Sequence, residues 1–386
     1  MGEASIAGMC RPRGALRAAA LLGLLLLLAG CSGGAVGGEA RDPGKPAGGE
    51  DPVGEMSVRE MVGQMFVVSL GGTRSDYYIE KMVRERNVGG VLLFGYNMRS
   101  LPQVRRLTGE LQRLSMATEP AVPLLVAVDQ EGGEVQSAPW VSPQPSAAEI
   151  GASGDPEAAR RVARRIGSEL LEAGVNTDLA PVVDTGFGAA IGSRSYGENP
   201  ELVSRMGSAA VEGFREAGVI SAAKHFPNHG PATSDSHTGL PIVDHDMDTV
   251  LSRDLPPFAA AVRAGVPMVM VGHLLYPAID QENPASMSPQ AIRLLRERLG
   301  FDGVVITDDL AMAGARQGGS VARAAVRAVS AGADMLIVSS PPPQQAEAYD
   351  ALVRAVRSGG IPERQVRASV RRIVEMKEDY NLYARH

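Results

Sequence analysis

Six histidines occur in this 386-residue chain, and four of them, His225, His229, His237 and His245, fall close together, with His273 a little beyond. The densest stretch reads Lys224-His225-Phe226-Pro227-Asn228-His229-Gly230 and continues through Asp235-Ser236-His237. Imidazoles interleaved with a lysine and an aspartate can move protons, bind a metal ion or grip a polar ligand. Residues two apart in an extended segment project to the same side. The Asp235 carboxylate can then contact the His237 imidazole and fix its tautomer, which makes the carboxylate–imidazole unit of general acid/base catalysis. Asp308 is the second reactive candidate. It directly follows the apolar run Val304-Val305-Ile306-Thr307. A carboxylate at the end of a buried strand has little freedom and is partly desolvated, which suits a nucleophile aimed at one atom. Its neighbour Asp309 reads instead as the cap of a helix starting at Leu310.

A metal reading draws on the same residues. His225, His229, His237, His273 and Asp308 could imitate the histidine–carboxylate site of a barrel metallohydrolase. Two features oppose it: the first strand lacks the H-x-H pair such barrels usually carry, and Lys224 would set a cation beside the metal. The expectation is a site without metal or cofactor.

These residues need elements to hold them. Apolar, β-branched runs at 65–70, 90–94, 123–128, 177–183, 219–223, 268–271, 304–307 and 335–338 read as parallel strands buried on both faces. Amphipathic stretches lie between them. The clearest, 156–173, has Asp155 as N-cap, Pro156 at its first position and Gly174 past its end. Further helices are expected at 200–217, 322–331, 343–356 and 363–380. This alternation, without a dinucleotide fingerprint after the first strand, predicts an α/β fold, a (β/α)8 TIM-type barrel forming a single catalytic domain over 55–386. A doubly wound open sheet is the other arrangement the pattern allows. A barrel demands that functional side chains sit at the C-terminal ends of strands. Asp129-Gln130-Glu131, Asp184, Lys224-His225, His273, Asp308-Asp309 and Ser339-Ser340 all meet that demand. The segment 228–239 has neither helix nor strand period and is expected to be a loop able to carry a proton donor to a substrate.

The first thirty residues read as a targeting segment. Arg11, Arg13 and Arg17 precede an apolar run at 18–28, too short for a comfortable membrane span, which ends in Leu28-Ala29-Gly30-Cys31. Small residues before a cysteine resemble the bacterial lipobox, which implies cleavage after a 1–30 signal peptide and lipidation of Cys31. Residues 31–54, rich in Gly, Pro, Ala and charge, form a flexible tether. The expected product is an exported lipoprotein, anchored to the cell membrane and facing the cell wall, without disulfides and monomeric. The net charge of −6 and the absence of a Lys/Arg run beyond the leader argue against a nucleic-acid partner.

The motifs together resemble glycoside hydrolase family 3, in its single-barrel β-N-acetylhexosaminidase branch. The resemblance rests on Lys224-His225-Phe226-Pro227-x-His229-Gly230 with Asp235-Ser236-His237. Asp129-Gln130-Glu131-Gly132-Gly133, Ala180-Pro181-Val182-Val183-Asp184, Arg194-Ser195-Tyr196-Gly197 and Thr307-Asp308-Asp309-Leu310-x-Met312 match in the same order. It implies Asp308 as the nucleophile that forms a glycosyl-enzyme, and His237, backed by Asp235, as general acid and then base. Asp129, Arg194, Lys224 and His225 would hold the sugar hydroxyls. The implied reaction is retaining removal of terminal β-linked N-acetylglucosamine from peptidoglycan fragments or related glycans. The chain departs from the pattern at Glu134 and Ser137, where arginines are usual, the second a sugar-binding position. It departs again at Asn228, where glycine is usual, and at Ala189-Ala190, where Asn-Pro is expected. None of these departures touches Asp235, His237 or Asp308, so activity is expected, and the departures bear on sugar preference. The alternatives are a β-glycosidase or phosphorylase for another sugar, and a glycan-binding lipoprotein whose catalysis has decayed.

Overall fold

The computed structural model describes residues 53–385. The expected signal peptide, nearly all of the tether and Cys31 lie outside the described residues. Eight parallel strands close into a barrel: β1 (Phe66–Ser69), β2 (Gly90–Leu92), β3 (Leu125–Val128), β4 (Thr177–Asp178), β5 (Ile220–Phe226), β6 (Met268–Val271), β7 (Val304–Asp309) and β8 (Met335–Val338). Each strand pairs with its neighbours in chain order, and β1 closes on β8 through Phe66↔Leu336, Val67↔Ile337 and Val68↔Val338. The strands are buried throughout, apart from the last two residues of β7. That burial is why they read as continuous apolar runs rather than alternating ones.

The surrounding helices follow their caps. Pro156–Leu171 starts at Asp155, whose side chain accepts the Glu157 N–H at 3.0 Å. Pro200–Ala217 starts at Asn199, which accepts the Leu202 N–H at 2.8 Å, and stops at Gly218 with φ of 77°. A glycine there takes the left-handed conformation without a Cβ penalty. Val321–Ala331, Pro342–Arg357 and Glu363–Asp379 complete the expected series within a residue or two. The expected strand at 177–183 is regular only over Thr177–Asp178. Pro181 has no N–H to give the ladder, so the chain continues along β5 through single contacts. These are Ala222 N to Ala180 O at 2.8 Å, Lys224 N to Pro181 O at 3.1 Å and Val183 N to Lys224 O at 2.9 Å.

Two strands run further than the sequence pattern indicates. β5 includes Lys224 and His225, and β7 includes Asp308 and Asp309, so these residues belong to the strands and not to the loops after them. The register slips at that level, between Ala223 and Phe226 on β5 and between Met335 and Ile337 on β8. Such irregularities re-aim side chains, here at the rim where the ionisable residues gather. Among the described residues no helix is long and apolar enough to cross a membrane.

Candidate active site

The C-terminal rim surrounds a cavity of about 250 Å³. Asp129, Glu131, Arg194, Lys224, His225, His237, Asp308 and Asp309 line it together with Phe94, Val135 and Met312. The predicted nucleophile, acid/base histidine and sugar-holding residues thus share one cavity.

At the end of β7 the Asp308 carboxylate accepts the Asp309 N–H at 2.8 Å. Burial alone would push its pKa up. The charges of His225 and His273, that N–H and Lys224 outweigh burial and hold the carboxyl below the ordinary carboxylate range. Asp308 is therefore an anion at neutral pH, which a nucleophile must be. Its neighbour takes another part. Asp309 does not cap a helix beginning at Leu310, because the next helix is Ala313–Arg316. It accepts the Ala311 and Ser339 N–H groups, both at 3.0 Å, and the Ser339 hydroxyl. Asp309 thus ties β7 to β8, and burial raises its pKa.

The expected contact between Asp235 and His237 forms, although by a different local geometry. His237 Nδ1 lies 2.7 Å from Asp235 Oδ1, and the same oxygen accepts the His237 backbone N–H at 2.9 Å. This is a turn closed by an aspartate side chain, with Thr238 N donating to Asp235 O at 3.1 Å. It is not an extended segment of period two. Asp235 sits below its ordinary pKa; partial burial opposes this, and the backbone and ring N–H groups of His237 overcome it. The His237 side chain is 72% exposed, and its Nε2 is the ring atom left for substrate. Neighbouring segments fix the turn. His229 Nε2 lies 3.1 Å from Ser236 Oγ, and Gly314 N, just past β7, donates to Ser236 O at 3.0 Å. His229 therefore shapes the loop and does not face the cavity.

The cations expected to hold the sugar are engaged with carboxylates. Lys224 Nζ, fully buried, lies 2.5 Å from Asp129 Oδ1 and 2.7 Å from Glu131 Oε1. Arg194 grips Glu131 with two parallel bonds, Nε to Oε2 at 2.8 Å and Nη2 to Oε1 at 2.7 Å. Bidentate pairing of this kind fixes a guanidinium plane. Glu131 is pulled down to about 2, since Lys224 and Arg194 outweigh its burial. Sequence reasoning assigned no role to Glu131. Its signal was available: it lies two residues from Asp129 on the same extended segment and so faces the same side. Asp184 was also underused. Fully buried, it accepts the N–H groups of His225 and His229 and sits 2.7 Å from His225 Nδ1, which orients that ring.

Asn228, the departure from glycine, is completely buried and uses its whole amide. Oδ1 accepts the N–H groups of Thr185 and Gly230, each at 2.9 Å. Nδ2 donates to Thr185 O at 3.2 Å and to Asp254 Oδ1 at 2.8 Å. The side chain thereby pins the loops after β4 and β5 together. Among the described residues no three His, Cys, Asp or Glu side chains gather as a metal site. His273 is instead held by Ser286 Oγ at 2.7 Å and Asp309 O at 3.0 Å.

An ionised carboxylate and a carboxylate–imidazole pair across one polar barrel cavity define a class: a (β/α)8 barrel with groups suited to acid/base-assisted displacement. Residues 57–376 match the Glycosyl hydrolase family 3 N terminal domain. The chain belongs to glycosyl hydrolase family 3. It is 36% identical over 327 residues to β-hexosaminidase A of Pseudoalteromonas piscicida, a match covering 78% of this chain and 54% of that protein. The chain thus spans about half the length of that relative. Among solved structures it resembles a family 3 β-N-acetylglucosaminidase from Paenibacillus sp. str. FPU-7, with TM-score 0.83 and 39% identity over 85% of this chain and 63% of that one. It also resembles the β-N-acetylhexosaminidase of Beutenbergia cavernae DSM 12333, with TM-score 0.78 and 32% identity over 84% of this chain and 99% of that one.

Proposed function

We propose that the chain is a retaining, exo-acting β-N-acetylhexosaminidase that removes terminal β-linked N-acetylglucosamine. The observation that carries this reading is the cavity shared by anionic Asp308 and the exposed His237–Asp235 pair. In the first step an Asp308 oxygen attacks the anomeric carbon and the glycosidic bond breaks. Protonated His237 gives its Nε2 proton to the departing oxygen, and Asp235 stabilises the imidazolium through Nδ1. In the second step neutral His237 takes a proton from water as that water attacks the anomeric carbon, and Asp308 leaves as a carboxylate. Lys224, Asp129 and Arg194 offer the terminal sugar charged hydrogen-bonding groups already ordered by one another.

The cation balance favours hydrolysis over phosphorolysis. Lys224 and Arg194 are both engaged by carboxylates, so neither offers its full charge to an entering phosphate, which would also meet the anionic Asp308. Anchoring through Cys31 and a peptidoglycan-derived substrate complete the proposal. A membrane-held enzyme facing the wall would meet fragments ending in this sugar.

The test incubates the chain with aryl β-N-acetylglucosaminide and aryl β-glucoside, with and without phosphate and a chelator. Turnover of the first, indifferent to both additions, supports the reading. Turnover of neither would favour a binding protein, and loss with chelator would refute the metal-free mechanism. Radiolabelled palmitate incorporation, abolished in Cys31→Ser, checks the anchor.

A further inference from the structure

Phe94 and Tyr96 follow β2, and their rings stack with centroids 5.5 Å apart and planes inclined by 15°. Phe94 lines the catalytic cavity, whereas Tyr96 is 61% exposed. Among the described residues several large apolar side chains are exposed, and Tyr96 is set apart from them by its stacking on a ring that lines the cavity. Partial burial, and after it the charge of Asp309, raise the Tyr96 pKa, so its phenol is neutral.

The turn that carries the pair is rigid. Asn97, fully buried, donates to Leu70 O at 3.0 Å and Gly72 O at 2.7 Å, and accepts the Phe94 N–H at 2.8 Å. Asn97 N returns a bond to Phe94 O at 2.8 Å. The platform is therefore ordered before any ligand arrives, which lowers the entropic cost of using it. The Ser137 carbonyl lies 3.7 Å from where a Cβ on Gly95 would be, so the segment after β3 borders the turn.

Cavity size decides what the platform meets. A space of about 250 Å³ is below the ~300–1,000 Å³ of sites that enclose drug-sized ligands. It holds one sugar ring. The next ring of a longer glycan must lie outside it, over the rim. Pyranose rings present an apolar face of C–H bonds whose slight positive charge complements the negative face of an aromatic ring.

We propose that the Phe94–Tyr96 stack is the subsite for the leaving group, with Tyr96 receiving the apolar face of a second pyranose on the reducing side of the scissile bond. The inference rests on the proposed glycosidase reading and adds the substrate class: the enzyme selects glycosides whose leaving group is itself a sugar ring.

The experiment compares kcat/KM for the β-1,4-linked disaccharide of N-acetylglucosamine with that for methyl β-N-acetylglucosaminide, whose leaving group has no ring. In Tyr96→Ala the ratio of disaccharide to methyl glycoside should fall about tenfold, the scale of one aromatic stacking contact, mainly through KM. Tyr96→Phe and Tyr96→Trp should restore it. An unchanged ratio in Tyr96→Ala overturns the subsite, whether both activities stay or both fall together. A wild type that cleaves neither glycoside refutes the glycosidase reading itself and the subsite with it. Because Tyr96 is exposed, an unaltered melting temperature of Tyr96→Ala separates these outcomes from misfolding.

Discussion

Asn228→Gly restores the residue usual in the family and should nevertheless damage this protein. The side chain supplies hydrogen bonds to the Thr185 and Gly230 N–H groups, to Thr185 O and to Asp254. All of these lie in the dry contact between the loops after β4 and β5. The contact is close: a Cβ on Gly230 would fall 2.2 Å from Thr185 O. Losing the amide strands the two N–H groups and takes one donor from the buried Asp254 carboxyl, which keeps His245 Nδ1 at 2.8 Å. At about 1 kcal/mol for each of these four bonds, the cost is about 4 kcal/mol. For a domain of this size that is on the order of 6 °C in melting temperature. The same loop continues to Asp235 and His237, so kcat on a poor leaving group should fall about ten- to a hundredfold as the proton donor loses its position. Asn228→Asp isolates the Nδ2 donor. The new carboxylate would keep the two N–H bonds but face Asp254, whose pKa burial already raises. The two acids can share a proton at low pH and repel when both ionise, so this variant should be least stable, relative to wild type, above neutral pH. The assay is thermal unfolding at several pH values beside steady-state hydrolysis of the disaccharide. If Asn228→Gly melts with the wild type and keeps its kcat, Asn228 does not hold the catalytic loop and the reasoning fails.

Asp308→Gly should lower turnover by about a thousandfold or more. Added azide should then rescue an activated substrate and release a glycosyl azide of inverted anomeric configuration, seen by NMR; undiminished activity would remove Asp308 as nucleophile. His237→Ala should lower disaccharide hydrolysis by about 10²–10⁴-fold, with a much smaller effect on release of an activated phenol, which needs little proton donation; equal losses would argue against a proton-transfer role. Glu131→Gln should destabilise the fold by roughly 3 kcal/mol, because Lys224 and Arg194 lose their shared anion in a buried place. The pH window follows from Glu131's fall from 4.5 to about 2. Its stabilisation is present above pH 4.5 and lost as pH falls towards 2, so the wild type and Glu131→Gln should converge in acid denaturation. Lys377, buried against Gln64 Oε1 at 2.9 Å and Gly89 O at 3.0 Å, is lowered by burial from 10.5 to about 7. The unfolded chain holds that proton more tightly, so stability should rise with pH between about 7 and 10.5, by up to roughly 4 kcal/mol. Lys377→Met should flatten that slope in urea titrations.

The barrel and the level of its site were legible in the chain because both rest on local patterns. Burial on both strand faces writes continuous apolar runs. Caps such as Asp155 and Asn199 mark helix starts, and ionisable residues directly after the runs mark the rim. The same logic located Asp308, Asp129 and Lys224, and a spacing of two residues pointed to the Asp235–His237 pair, whereas Arg194 and the sugar-holding roles came from the family resemblance. What the chain could not reveal was how side chains distant in sequence divide the charge among themselves. Glu131 draws Lys224 and Arg194 together only once β3, β5 and the loop after β4 are neighbours. Asp309 becomes a tie to Ser339 because β8 lies beside β7, where local sequence suggested a helix cap. Asn228 stood out in the chain only as a departure from the usual glycine, yet the folded loops turn its amide into the bond between them. Pairing across the rim depends on which strands become neighbours, and closure of the barrel makes that choice.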